Sequence, residues 1–385
     1  MQTLIYNATI VLPTTVVENG WLLIEDEFIH AFGPEDTCPS DYTVAINAAT
    51  SFLLPGLIDL HCDTIEKLVE PRPGVRFPIP LALQEADLRL AASGITTEFH
   101  AVSLDDDEFS VRSDAFVREL CQVIKETDGA RLIRHKIHAR LELSSQRGYS
   151  AIMDMMVQGC FDLVSLMDHS PGQGQYRTEA AYREYIFRTT GKSHEEIDAF
   201  LLVKKAQTLA IPDRIKGVAQ LARQSGLAIA THDDDTAEKV EQWPALGVSI
   251  CEFPTTLEAA RRAHELALAV CMGAPNVLRG KSSGGNLSAL AAINAGVTDA
   301  LCSDYYPAAM LNAVFALVRQ HIMPLADAVR LVTLNPARAV GLDTIGSLKV
   351  GKVADLILVK PGLHDVANVE RVFVSGKEVL RRSAL

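Results

Sequence analysis

The sequence has no excess of positive charge. Its 36 Lys and Arg are outnumbered by 48 Asp and Glu, a net charge of −12, which argues against nucleic acid as a partner. An anionic substrate is not excluded, because bound cations reverse the local field. No CxxC pair occurs among the seven cysteines, Cys38, Cys62, Cys121, Cys160, Cys251, Cys271 and Cys302. An odd, scattered set gives no disulfide framework and suits a reducing cytoplasm. The N-terminus, MQTLIYNATIVLP, has no basic segment leading into a long apolar run, so no signal peptide is expected. No uncharged apolar stretch reaches the roughly 18 residues that would suggest a membrane span. Internal repeats and low-complexity tracts are also missing. What remains is ordinary for a soluble globular protein: 385 residues, 48% hydrophobic and 22% charged, enough for one large domain or two smaller ones.

The two ends of the chain share a pattern. Residues 1–52 alternate in short β-like runs (TLIYNATIVLP, GWLLIEDEFIHAFG, YTVAINA), punctuated by Gly20, Gly33 and Pro34. Residues 343–385 do the same in GSLKVGKVADLILVKPG and VERVFVSGKEVL. Neither end carries enough strands for a stable sheet alone. They are expected to pair into one composite β-sandwich; the alternative is two unrelated β extensions. Between them, 53–342 alternates strand and helix. Strand candidates are 53–62, 95–104, 134–143, 162–170, 227–235, 247–254, 268–276 and 299–307. Eight strands with intervening helices predict an α/β fold, a TIM-like (β/α)₈ barrel. The long insertion near 171–226 contains Ser193 and Glu196 in capping-box spacing and is expected to be helical.

Barrels of this kind carry chemistry at the C-terminal ends of their strands. Here those ends read His61-Cys62-Asp63, Glu142, Asp168-His169-Ser170, His232-Asp233-Asp234, Glu252-Phe253-Pro254 and Ser303-Asp304-Tyr305. His61 and Asp63, two residues apart, share a strand face, and Cys62 points the other way. One such histidine would be an ordinary polar residue. Three, each beside an acid, with Glu142 and Asp304 completing a ring, predict a site for one or two divalent ions of the Zn, Mn or Fe type. His138, Arg140 and Glu142 fall on one face by period two. Glu142 is the best ligand among them, and Arg140 is open between an anionic substrate and an internal ion pair.

Cations gather in the loops of the same mouth. RGKSSGGN, residues 279–286, brings Arg279, Lys281, Gly284 and Gly285 in front of Asn286 and an apolar helix. This is either a phosphate cradle or a Gly-rich turn with Asn286 as N-cap; the two basic residues favour phosphate. Arg72 and Arg76 lie on the Pro-stiffened loop 70–78, and Gln175 and Arg177 follow strand four. An acidic metal centre ringed by cations suits phosphoryl chemistry.

The strand-one PGLIDLH, the two β-rich ends and the closing GSLKVGKVADL (346–356) resemble the amidohydrolase superfamily. PRPGVRFP, SLMDHSPGQGQY, THDDDT, EFPTTLEAA, MGAPNVLRG and SDYYP together resemble one branch, the phosphonate-metabolism diphosphatases of the carbon–phosphorus lyase pathway. Those enzymes convert α-D-ribose 1-methylphosphonate 5-triphosphate to the 5-phosphate and pyrophosphate. The resemblance implies metal ligands at His61, Asp63, Glu142, His169, His232 and Asp304. In that branch H-x-D replaces the H-x-H of the wider superfamily, and a carboxylate replaces its modified lysine. Glu142 and His169 fall on strands three and four by this count, whereas many relatives use strands four to six. The branch also implies a strand-seven loop close to RGGSHSGN; the histidine is missing here and Lys281 is present.

The expected activity is metal-dependent hydrolysis of a phosphoanhydride in a small phosphorylated sugar, in the cytoplasm. Asp304 would serve as general base. Arg279, Lys281 and the Gly284-Gly285 backbone would hold the leaving pyrophosphate, and Arg72, Arg76, Gln175 and Arg177 the rest of the substrate. Two alternatives are a cyclic amidase or deaminase and a non-catalytic scaffold. The expected partners include neither nucleic acid nor membrane, and a homo-oligomer is the common form where such enzymes assemble.

Overall fold

The structure, a computed structural model, describes residues 1–104, 112–170, 179–191, 193–282 and 285–382. Its centre is an eight-stranded parallel sheet taken in simple sequence order. The strands are Leu57–Cys62, Ile95–Leu104, Arg134–Glu142, Leu163–Met167, Ala228–His232, Ile250–Glu252, Ala269–Gly273 and Ala300–Cys302. All eight fall within the stretches expected from sequence. The barrel closes where Cys62 pairs in parallel with Asp304. Asp304 N–H donates to the carbonyl of His61 and Asp63 N–H to that of Asp304, each at 2.9 Å.

Both faces of the sheet are largely buried, so most of its strands read as apolar runs, with the polar strand three, RHKIHARLE, the exception. Phe99, Leu163, Ala230, Ile250, Cys271 and Ala300 form one cluster. Their chain neighbours Val164, Ile229, Cys251, Val270 and Leu301 belong to a different cluster, shared with the helices. That is period two with an apolar partner on each side. The helix Asp114–Glu126 shows how the outer layer forms. Ser113 Oγ accepts from Phe116 N–H at its start, and Phe116, Val117, Leu120 and Cys121 are buried at helical spacing. The insertion is helical as expected, over Glu179–Thr190, His194–Gln207 and Ile211–Ser225. Its capping box is formed in both directions: Glu196 N–H donates to Ser193 Oγ and Ser193 N–H to Glu196 Oε2.

The two chain ends join in one eight-stranded mixed sheet. The seam is Phe52–Pro55, parallel to Gln2–Val11 on one side and antiparallel to Leu356–Pro361 on the other. Ile5, Leu22, Ile29, Leu53, Leu356 and Phe373 meet in one apolar cluster, so each end supplies half of a core that neither has alone. The expected sandwich is thus one continuous hydrogen-bonded sheet. Gly20 does not punctuate a strand. It lies inside Val16–Glu25, where a Cβ would come within 2.7 Å of Ile10 Cδ1.

Candidate metal centre

Three strand ends turn in the same way. Asp233 and Phe253 follow strands five and six directly and Asp304 follows strand eight after Ser303, and each has a left-handed backbone, with φ of 59°, 50° and 60°. Each N–H still donates to the next strand around the barrel, Asp233 to Glu252, Phe253 to Cys271 and Asp304 to His61. Such conformations cost of order 1–3 kcal/mol for a residue with a side chain and cluster at functional sites. Here they add a rung to the ladder and set the side chains around the barrel mouth.

Two groups of ligand-type atoms result. In the first, His61, His138 and Glu252 are buried and offer atoms within 4.8 Å of one another. His138 Nδ1 lies 2.9 Å from the carbonyl of Leu60. It must carry the proton and donate, which leaves Nε2 with the lone pair. That Nε2 has no hydrogen-bond partner among the described residues, and neither does Glu252 Oε2, 3.7 Å away. His61 Nδ1 faces Glu252 Oε1 at 3.3 Å. In the second group, His169, His232 and Asp233 converge. His169 Nδ1 is 3.0 Å from Glu142 Oε2 and its Nε2 is 3.2 Å from Asp233 Oδ2. His232 Nδ1 is 3.0 Å from the same Asp233 oxygen. Glu142 is held from behind by the hydroxyl of Ser144 at 2.9 Å.

The electrostatics suit a cation. Burial pushes His138 down to about 3, and burial, then the charges of Arg140 and His232, push His61 well below its ordinary range. Both rings are therefore neutral donors near pH 7. Burial also opposes charge on His169, but the hydrogen bonds and charges of Asp233 and Glu142 win and raise it to about 10. Burial raises Glu252. It also raises Asp304 to about 6, with help from the charge of Asp63. Buried polar atoms without partners cost roughly 1–3 kcal/mol each. Asp63 Oδ1, Glu252 Oε2 and His138 Nε2 are all in that state. The residues present thus fit divalent ions, in two neighbouring groups of imidazole and carboxylate.

These groups border a cavity of about 230 Å³ whose walls include His61, Asp63, His232, Asp233 and Asp304. Arg112, Arg140, Asn276, Ser282 and Asn286 complete its polar lining. A larger cavity of about 430 Å³ lies between the loops after strands four and five, over Leu143, Leu166, Ile215 and Trp243. Its acidic rim, Asp168 and Asp235, does not belong to either ligand group.

Of the residues expected from sequence, His61, Asp63, His232 and Asp304 reach the cavity wall, and Glu142 and His169 stand behind Asp233. The strand count agrees with the structure: Glu142 ends strand three and His169 follows strand four. The loop cations do not join it. Arg76 is exposed and pairs with Glu70 at 3.0 Å, and Arg72 is exposed beside it. Arg279 is exposed, with Nη1 3.2 Å from the Tyr305 hydroxyl. Lys281 and Gly285 are exposed as well. Gln175, Arg177 and Gly284 lie outside the described residues. The helix after this loop is Ala289–Asn294 and its cap is Ser288, not Asn286. Asn286 faces the cavity instead.

Sequence reasoning left His138, Asp233 and Glu252 unassigned. Their signals were present. Asp233 and Glu252 end strands, and His138 shares the face of Glu142. Only the closed barrel shows which neighbours each meets. Cys62 is buried as expected, but in polar company. It groups with Asp59 and Glu98, and both Glu98 oxygens lack hydrogen-bond partners among the described residues.

Residues 202–379 match the model of the amidohydrolase family. The chain is 36% identical to the α-D-ribose 1-methylphosphonate 5-triphosphate diphosphatase of Escherichia coli (strain K12), over 98% of this chain and all of that one. In fold it is similar to 5-methylcytosine deaminase from Klebsiella pneumoniae, with a TM-score of 0.68 at 16% identity over 100% of this chain and 99% of that one. It is also similar to N-acetylglucosamine-6-phosphate deacetylase from Pasteurella multocida, with a TM-score of 0.63 at 16% identity over 98% and 99%.

Proposed function

The chain belongs to the amidohydrolase family, in the branch of the Escherichia coli diphosphatase, and from that premise we propose that it hydrolyses the phosphoanhydride of α-D-ribose 1-methylphosphonate 5-triphosphate, releasing pyrophosphate and the 5-phosphate. One observation carries this beyond the likeness. The imidazole–carboxylate centre opens into a small cavity lined by two guanidinium groups. A neutral cyclic amide would gain little from them.

The proposed ligand set is His61, Asp63, Glu142, His169, His232 and Asp304, joined by His138, Asp233 and Glu252, and it has room for two divalent ions of the Zn, Mn or Fe class. Such ions polarise phosphoryl oxygens and bring the pKa of water toward neutrality. Asp304 takes the proton of the attacking water. It lines the cavity, and its carboxyl, raised to about 6, is a stronger base than an exposed aspartate yet still ionised at pH 7. Glu142 fixes the ring of His169 through Oε2. Glu252 does the same for His61 through Oε1. The setting is cytoplasmic in this reading. All seven cysteines are free and six are buried, and among the described residues no helix is long and apolar enough to cross a membrane.

Phosphorus NMR on metal-stripped protein reloaded with Mn²⁺ or Zn²⁺ tests the proposal. The ribose triphosphate should release pyrophosphate only when metal is present. Turnover of a cyclic amide, with the triphosphate untouched, would overturn it.

A further inference from the structure

The loops were the expected home of the substrate's negative charge, but the cavity offers another. Arg140 stands on strand three between His138 and Glu142, two residues from each, and so on the face that carries them. It lines the cavity. Its Nε is buried without a hydrogen-bond partner, and among the described residues no carboxylate lies within ion-pair distance of it. The internal ion pair that strand periodicity allowed is therefore not made among the described residues. Arg140 is partly buried, and a guanidinium whose buried Nε–H has no acceptor is costly to keep. Its field reaches the centre itself, where it opposes protonation of His61 and stabilises the charged forms of Glu252 and Asp304. Arg112 differs: its Nε is anchored 3.0 Å from the buried carboxylate of Glu66. Asn276 and Asn286 supply amide groups to the same wall.

We propose that Arg140 is the specificity-determining residue of this site, its guanidinium receiving the oxygens of the leaving diphosphate, with Asn276 and Asn286 as neutral partners. This rests on the reading of the site as a phosphoanhydride hydrolase. The planar fork of a guanidinium matches two phosphate oxygens at once, which a lysine cannot do. Mounted on a barrel strand, it is also held more rigidly than any loop cation.

The test uses the full-length, Mn²⁺-loaded protein, with inorganic pyrophosphate as inhibitor and the ribose triphosphate as substrate. Arg140→Met should raise KM and weaken pyrophosphate inhibition by the same factor, about tenfold or more. Metal content per chain should be unchanged. Arg140→Lys, which keeps the charge but loses the fork, should recover only part, and it carries the comparison if Arg140→Met does not fold. Pyrophosphate affinity within twofold of the parent, or a loss of bound metal that accounts for the lost activity, would make Arg140 an internal counter-ion and overturn the assignment. The two readings fail separately. Normal hydrolysis indifferent to Arg140 sinks only this assignment. Pyrophosphate binding that depends on Arg140, without hydrolysis of the triphosphate, sinks only the proposed function.

Discussion

The strand ends and the loops of this barrel mouth were equally rich in chemistry when read as sequence, yet they fare differently in the structure. His61, Asp63, His232 and Asp304 reach one cavity, with Glu142 and His169 directly behind. Arg72, Arg76, Arg279 and Lys281 stay in solvent. A strand end is fixed by the ladder on both sides, as Asp304 is by its bonds to His61 and Asp63. A loop cation has only its own stem and whatever carboxylate it meets first, as Arg76 meets Glu70. The cations that do line the cavity, Arg140 on a strand and Arg112 on Glu66, are the ones the fold anchors.

Four substitutions would sharpen that contrast or break it. Asp304→Asn should have the largest effect, a fall in kcat of about a hundredfold to ten-thousandfold, with metal still bound; near-normal turnover would remove its role as base. Glu142→Gln should lower metal affinity by about tenfold to a hundredfold, measured by competition with a chelator, because it loosens His169. The pair Arg279→Ala with Lys281→Ala should change KM about threefold or less, since exposed charges are screened. A larger effect than that of Arg140→Met would return the substrate's charge to the loop.

The smallest effect concerns stability. Glu98 is buried, and burial, then the charge of Asp59, raises its pKa well above the ordinary value; Asp59 itself is raised to about 6. Folded protein therefore holds protons that the unfolded chain has already released. The stability this gives is present below the ordinary carboxylate range and is lost as pH rises through the folded values. Glu98→Gln should flatten the decline of Tm from pH 5 to 8 in metal-free protein, by about 2 °C. An unchanged slope would mean that Glu98 does not carry this pH dependence.

Much of this was legible because local chemistry and fold agree. Most barrel strands are apolar runs buried on both faces, strand three being the polar exception, so even the three-residue Ile250–Glu252 could be found from composition and spacing. Ser193 and Glu196 announced a helix start that the structure forms in full. The alternative reading of Asn286 as a cap fails for a simple reason. Ser288 lies two residues on, and its hydroxyl caps the helix, which frees Asn286 for the cavity wall.

By itself, then, the order of residues determined the barrel, the pairing of the two β-rich ends and the presence of imidazole and carboxylate at the strand termini. Periodicity and hydrophobicity act along the chain and can be read along it. Only the tertiary structure decided that Glu252 faces His61 and His138, that Asp233 lies between His169 and His232, and that Arg140 lines the cavity while Arg72, Arg76 and Arg279 stay exposed. Glu252 is 191 residues from His61, and Asp233 is 64 from His169; they meet because the parallel barrel sets successive strand ends side by side and closes strand one on strand eight, a condition that no single segment of the sequence contains.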